Sequence, residues 1–382
     1  MIDFFHNKCK SHYSDETIDI LRLIRSENVG PKTFFSLIKF FGSASRALEN
    51  IADFSLRGGK SKPIRVYSKL AASKELDLLE KNGARILSYK DPSYCSLLKE
   101  TPDFPPIVTY KGNISLLNSK KNISIVGARN SSANSKSFAS NLSQELTNDG
   151  YVTVSGLARG IDTAVHKAQP KKTIAVIAGG IDHIYPIENN DLFNQIASEG
   201  LIISELPIGA TPLAKHFPQR NRIIAGLSQA TIVIEAGLKS GSLITANCAL
   251  DYNREVFAVP GFPLDPRCMG SNKLIKEGAY LLESYEDLVS NLNDFKQMKI
   301  KLKEDPSFSP DNFDFPRGAG NLEIKNSDRE KVLSLLSSTP VSFEQISNES
   351  GLPLVVIYMI CLELELAGRI VRHVGNKISL IY

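Results

Sequence analysis

From Ser124 onward, short apolar runs rich in Val and Ile alternate with longer segments whose apolar positions recur every three or four residues. A run of four to six β-branched residues marks a buried strand, and the three-to-four spacing marks an amphipathic helix. Strands are expected at residues 124–126, 152–155, 173–178, 201–204, 231–234 and 256–259. Helices are expected between and after them at 135–148, 162–168, 189–198, 220–227, 243–252 and 272–276. Such alternation requires a mostly parallel sheet with right-handed crossovers and helices on both faces. The fold class is therefore α/β, with an extended Rossmann-like, mostly parallel sheet.

The flanks follow different patterns. Ile18, Leu21, Leu23 and Ile24 form one helical face, Asn28-Val29-Gly30-Pro31 interrupts it, and Phe34 to Phe41 restart it. Helix, Val-Gly-Pro turn, helix is the local form of a helix-hairpin-helix unit and equally of a plain αα-hairpin. Residues 55–69 carry Arg57, Lys60, Lys62, Arg65 and Lys69 without an acid. A run of this kind is usually a solvated face. A helix is expected at 73–82, and strands at 83–88 and 107–110. Residues 294–322 are linker-like, with Pro306, Pro310, Pro316, Gly318 and Gly320. Beyond them, Ser327 to Glu330 resembles a capping box, Ser342 opens a second short helix, and residues 353–366 form a third. Residues 369–373 and 377–381 then pair across Gly375-Asn376, completing a winged helix. The expected division is residues 1–82, a small helical domain of the SAM or helix-hairpin-helix kind; 83–293, the core; 294–322, the linker; and 323–382, the winged helix.

Chemistry concentrates in the loops after three core strands. These are Gly127-Ala128-Arg129-Asn130, Ser155-Gly156-Leu157-Ala158-Arg159-Gly160, and a longer region with Lys215, Phe217, Arg220, Asn221, Arg222, Lys239, Ser240, Gly241, Ser242 and Thr245. A loop ending on a helix N-terminus presents unpaired N–H groups that favour anions. In open α/β sheets, ligands sit at that edge. Phe217 precedes Pro218 and is expected in a loop with its ring exposed, the alternative being a core position. Asp162 is expected to cap its helix, His166 to be a satisfied core histidine, and Glu235 to make a structural hydrogen bond.

Charge refines this picture. The net formal charge is +4 overall, but residues 1–120 carry +6, residues 121–290 carry −1 and residues 320–382 carry −1. The core cations therefore matter only where they converge. A winged helix of net negative charge suits a packing or partner role better than DNA binding. Five scattered cysteines without a Cys-x-x-Cys pair argue against zinc and against a disulfide framework. Met1 to His6 lacks a signal-peptide apolar core, and no run is long enough to span a membrane, so a cytoplasmic location is expected. The first loop lacks Gly-x-Gly-x-x-Gly, and no P-loop is present, so neither a dinucleotide nor ATP is expected as cofactor.

Val126-Gly127-Ala128-Arg129, Ser155 to Asp162 with His166, Gly180-Ile181-Asp182 with Tyr185-Pro186, Phe217 to Arg222, Ser240 to Ala246 and Ala258-Val259-Pro260-Gly261 together resemble the DNA-processing protein DprA (Smf) family. The resemblance covers the core continuously and extends to the layout in three domains. It implies a non-enzymatic protein that binds single-stranded DNA, forms a homodimer through its core, and helps load the recombinase RecA during natural transformation. It implies that Arg129 holds a phosphate and Phe217 stacks on a base, as separable charge and stacking terms. The loops at Ser155-Gly156 and Ser240-Gly241-Ser242 would then offer amides, with Arg220 and Arg222 contacting the strand or bracing the loop. The chain departs from the family pattern at Ile187 and Ala214, where a basic residue is usual, and in a shortened segment after His166. The competing class is a nucleotide-hydrolysing enzyme of the lysine-decarboxylase-like phosphoribohydrolase type. Its Pro-Gly-Gly-x-Gly-Thr-x-x-Glu acid has no counterpart at Lys239 to Ser242.

Overall fold

The computed structural model describes residues 13–292, 324–373 and 376–381. The expected linker at 294–322, Gly375 of the hairpin turn and Met1 to His6 lie outside the described residues. The chain divides into two compact units, the first of residues 1–74 with 309–382, the second of residues 75–308.

The larger unit is built on a nine-stranded sheet. In chain order its elements are α4 (Lys69–Lys81), which crosses the unit boundary, β1 (Arg85–Ser88), α5 (Ser96–Lys99), β2 (Ile107–Gly112), β3 (Asn122–Gly127), α6 (Ala133–Asn148), β4 (Val152–Ser155), α7 (Ile161–Ala168) and β5 (Thr173–Val176). These are followed by α8 (Asn190–Glu199), β6 (Leu201–Ser204), α9 (His216–Gly226), β7 (Ala230–Ile234), α10 (Gly241–Asp251), β8 (Glu255–Ala258), α11 (Met269–Lys276), β9 (Tyr280–Leu281) and α12, described over residues 285–292. The sheet order is β1-β2-β6-β5-β4-β3-β7-β8-β9. All pairings from β6 to β9 are parallel, while β1 and β2 add an antiparallel edge. The chain winds outward from β3 through β6 on one side and from β7 through β9 on the other. The winding direction reverses between β3 and β7, which opens a crevice at the carboxyl ends of those strands.

The central strands are buried along nearly their whole length because helices cover both faces. Val126, Val154, Val176, Ile203 and Val233 enter one buried cluster; Ile123, Ile125, Ile232, Ile234 and Phe257 enter the other. The alternation of neighbours such as Ile125 and Val126 between clusters is the two-residue period of a strand. Positions 152–155 and 201–204 coincide with β4 and β6, whereas α9 begins at His216, four residues before its expected start. Phe217 therefore sits in the first turn of a helix rather than in a loop. Pro218 marks that turn: a first-turn proline loses no intrahelical hydrogen bond.

The smaller unit holds α1 (Asp15–Arg25), α2 (Pro31–Phe41), α3 (Ala44–Arg57), α13 (Asn326–Ser334), β10 (Val341–Ser342), α14 (Phe343–Ser350), α15 (Leu354–Leu366), β11 (Ile370–His373) and β12 (Lys377–Leu380). Gly30 and Pro31 open α2, so the Val-Gly-Pro turn joins two helices as expected. Three helices and the strands β10-β12-β11 form the winged helix. Its first cap differs from expectation. The helix starts at Asn326, and the Asp328 carboxylate accepts the Lys325 N–H at 3.1 Å, so Ser327 lies inside the first turn. Ser342 caps α14, accepting the Gln345 N–H at 3.2 Å.

His166 is fully buried on α7, with Nδ1 2.7 Å from the Thr173 hydroxyl. Burial disfavours the imidazolium and the Arg220 guanidinium repels it, so its pKa falls from 6.5 to about 3. The native state therefore refuses a proton that the unfolded state accepts below 6.5. This contribution is intact above pH 6.5 and is lost as pH falls from 6.5 towards 3. In urea titrations, wild type should lose up to about 1.4 kcal/mol per pH unit more steeply in that window than His166→Gln. Parallel pH profiles would show that His166 is not held neutral.

Candidate functional site

The loops after β3, β4, β5 and β7 meet along the carboxyl edge of the sheet, and a buried cation joins the central ones. Arg220, on α9, is 6% exposed and donates through Nη1 to the carbonyls of Gly156 and Val176, at the ends of β4 and β5. Desolvation pulls its pKa down to about 10, opposed by attraction to the Asp162 carboxylate, so the guanidinium stays charged at neutral pH. Asp162 does not cap α7, whose N-cap is Gly160. Its Oδ2 reaches back to accept the N–H groups of Gly156 at 3.1 Å and Ala158 at 3.2 Å. Burial raises the Asp162 pKa; Arg220 and these amides oppose the rise. Asn189 completes the clamp by donating to the Leu157 carbonyl at 3.0 Å. Leu157 adopts φ 56°, a left-handed conformation that survives only in an over-determined loop.

This geometry separates the sequence-identified residues into holders and presenters. Ser155 is fully buried and donates to the Ile125 carbonyl at 2.7 Å. Gly156 has its N–H engaged by Asp162 and its carbonyl by Arg220, and a Cβ there would lie 2.2 Å from the Arg220 guanidinium. Gly127 has equally little room: a Cβ would lie 2.0 Å from the Ile234 carbonyl. Arg222 is engaged by the Asp103 carbonyl and by the carboxylate of Glu205, the residue after β6. Asn221 donates to the Gly241 carbonyl at 3.1 Å, tying α9 to the start of α10. Thr245 is 1% exposed within α10. Glu235, at φ 49°, accepts the Ser132 N–H at 2.7 Å, the structural bond expected of it.

The presenters are Arg129, Arg159, Lys215 and Lys239, all exposed, with Phe217 half-buried among them. The Arg129 guanidinium lies over the Phe217 ring at 5.0 Å, a cation–π contact. The phosphate-holding and stacking groups expected to be separable are thus one contact. Arg159 pairs with Glu188, both more than half exposed, so the pair is weak and readily exchanged for another anion. Ser240 caps α10, its hydroxyl 2.6 Å from that of Ser242, which is itself buried. Gly241 is exposed, with open space where a side chain would stand.

Sequence reasoning quoted Tyr185 in a motif but gave it no role. Tyr185 is 49% exposed and meets Phe217 edge-on, centroids 5.5 Å apart. Tyr185, Phe217, Ala158, Gly156 and His183 line a shallow cleft above Arg220. An aromatic in a Gly- and Asp-containing loop was the available signal; its neighbour Ile187 is likewise exposed, at 71%. Among the described residues, no cluster of three His, Cys, Asp or Glu side chains is placed to hold a metal, and no helix is long and apolar enough to cross a membrane.

Comparison with known proteins accords with this arrangement. Residues 85–293 match the family model of DNA recombination-mediator protein A. Residues 14–77 match the DprA-like N-terminal HHH domain, and residues 318–376 the DprA winged helix domain. The DNA processing protein DprA of Bacillus subtilis is 43% identical over 229 residues, spanning 59% of this chain and 76% of that protein. Protein Smf of Escherichia coli is 33% identical over 322 residues, 82% of each chain. The X-ray structure of DNA processing protein A from Streptococcus pneumoniae superposes with a TM-score of 0.63 at 36% identity, covering 73% of this chain and 98% of that chain. A structure describing the single-stranded DNA binding mode of DNA processing protein A from Helicobacter pylori gives a TM-score of 0.52 at 29% identity, covering 55% of this chain and 96% of that chain. With the α/β core, the N-terminal helices and the winged helix all matched, the chain belongs to the DNA recombination-mediator protein A (DprA/Smf) family.

Proposed function

We propose that this chain is a recombination mediator that binds single-stranded DNA along the carboxyl edge of its sheet. The observation that carries the reading is the Arg129–Phe217–Tyr185 row: a guanidinium on an aromatic face, beside a second, exposed ring, with Arg129 following β3 and Tyr185 following β5 at the carboxyl edge of the sheet. Non-specific single-strand recognition combines cations that follow the backbone with rings on which bases stack. Arg129, Arg159, Lys215 and Lys239 supply the charge, and Phe217 and Tyr185 supply the rings. Gly127, Ser155, Gly156, Arg220, Asn221, Arg222, Ser242 and Thr245 serve by holding these loops, while Ser240 and the open Gly241 start a helix that favours a phosphate. A base stacking on Phe217 displaces Arg129 from the ring and frees it for a phosphate, so binding switches one partner for another.

The rest of the proposal follows family membership. The chain acts by binding, without turnover, as a cytoplasmic homodimer, and delivers its strand to the recombinase RecA in natural transformation. Along the sequence its segments divide at 82, 293 and 322. The competing hydrolase reading has little to draw on, since α10 opens Gly241-Ser242-Leu243-Ile244-Thr245 without a carboxylate.

Two measurements test this reading. Affinity for an oligonucleotide should fall steeply with salt, each neutralised phosphate contributing about −0.7 to the log–log slope, and should exceed that for duplex. Equal affinity for duplex, or a flat salt response, refutes it. In a double-mutant cycle, Phe217→Ala alone should cost about 1–3 kcal/mol of binding. Arg129→Ala alone should remove about one phosphate contact from the salt slope. Because the two side chains touch, the double mutant should depart from additivity by at least about 0.5 kcal/mol. Strict additivity would show that the contact plays no role in binding.

A further inference from the structure

The third helix of a winged helix is the element that normally enters a DNA groove, presenting several side chains to base edges and phosphates. In this chain that helix is α15, and its composition is contrary to the task. Leu354–Leu366 contains no Lys or Arg and has two Glu, Glu363 and Glu365. None of its 13 residues is exposed. A helix that is apolar all round is buried on all sides, and two surfaces here share the burial. Ile357, Ile360, Cys361 and Leu364 enter the winged helix's own core with Val332, Phe343, Ile346, Ile370 and Ile378. Met359, Leu362, Glu363 and Leu366 are at most 5% exposed and stand outside that cluster, at the i, i+3, i+4, i+7 spacing of a second face.

The second face has an occupant within the same unit. Helix α15 packs against α3 and also against α2. The backbones approach so closely at Gly58, the C-cap of α3, that a Cβ there would lie 2.1 Å from the Glu363 carbonyl oxygen and 2.9 Å from the Ala367 Cβ. Asn28, in the turn between α1 and α2, donates to the Leu366 carbonyl at 2.9 Å, satisfying one of the acceptors that a helix C-terminus leaves open. Arg369 donates to the Gly58 carbonyl at 3.4 Å. The one charged group on this face, Glu363, is 1% exposed and is neutralised by a two-point pair with Arg329, at 2.7 and 2.9 Å.

We infer that the third helix of the winged helix is the docking surface for the N-terminal helical domain, formed by Met359, Leu362, Glu363 and Leu366 against the Gly58 end of α3, and that it does not read duplex DNA. The two terminal domains, far apart in sequence, work as one module. The apolar second face exists because a helix of this protein covers it.

Reciprocal disruption in the full-length chain tests this. Gly58→Leu places a side chain where the Glu363 carbonyl stands; Leu362→Glu puts a carboxylate on the buried face without touching the winged helix's own core. Amide hydrogen exchange should speed up by about tenfold or more across the interface in each case: in α15 for Gly58→Leu, and in α3 for Leu362→Glu. If faster exchange stays within the domain that carries each substitution, the docking is refuted. In wild type, a saturating short duplex should leave α15 exchange unchanged. Protection of α15 by duplex would show that the helix enters a groove and overturn the inference.

Discussion

The buried guanidinium of Arg220 is the constraint on which the rest of the site depends. An arginine removed from water is costly unless its charge is compensated. Here Nη1 meets the ends of two neighbouring strands and the Asp162 carboxylate offsets the charge, while Nε is left buried without a hydrogen-bond partner. Those partners are separated in sequence by the whole of α7 and by β5, so satisfying one cation fixes the mutual position of the β4 loop, the β5 end and the first turn of α9. Phe217 lies three residues before Arg220 on that helix, and its place over the cleft is set by the same anchor. The residues that face solvent are few; those that hold them there are many.

This division explains why a core of near-neutral net charge can present a nucleic-acid surface. Residues 121–290 carry cations and carboxylates in similar numbers, 15 and 16, but the carboxylates next to the motif loops are used inward. Asp162 binds loop amides, Glu235 binds the Ser132 N–H, and Glu205 is paired with Arg222. Arg129, Lys215 and Lys239 are left facing out. Convergence on one edge, rather than total charge, decides the local potential.

Much of this was legible in the chain itself. Short runs rich in Val and Ile identified the buried parallel strands, since strands covered on both faces are predominantly apolar. The Gly-, Ser- and Arg-containing loops marked the ligand edge. Two features escaped for physical reasons. Helix α9 starts without a side-chain cap at Lys215, and Pro218 reads locally as a breaker although it fits a first turn. The roles of Ser155, Arg220 and Arg222 depend on partners tens of residues away, which periodicity does not show. The all-round apolar character of residues 354–366 was visible as composition, but only the second face at Met359, Leu362 and Leu366 reveals that another domain covers it.

The most direct measurement is photo-crosslinking of a halogenated single-stranded oligonucleotide to the full-length protein, with the modified residues identified by mass spectrometry. Stacked aromatic side chains react first in such an experiment, so the crosslinks should fall on Phe217 and Tyr185 and disappear in high salt. Crosslinks confined to the winged helix, or to the helices before Lys69, would place the strand elsewhere and contradict the account.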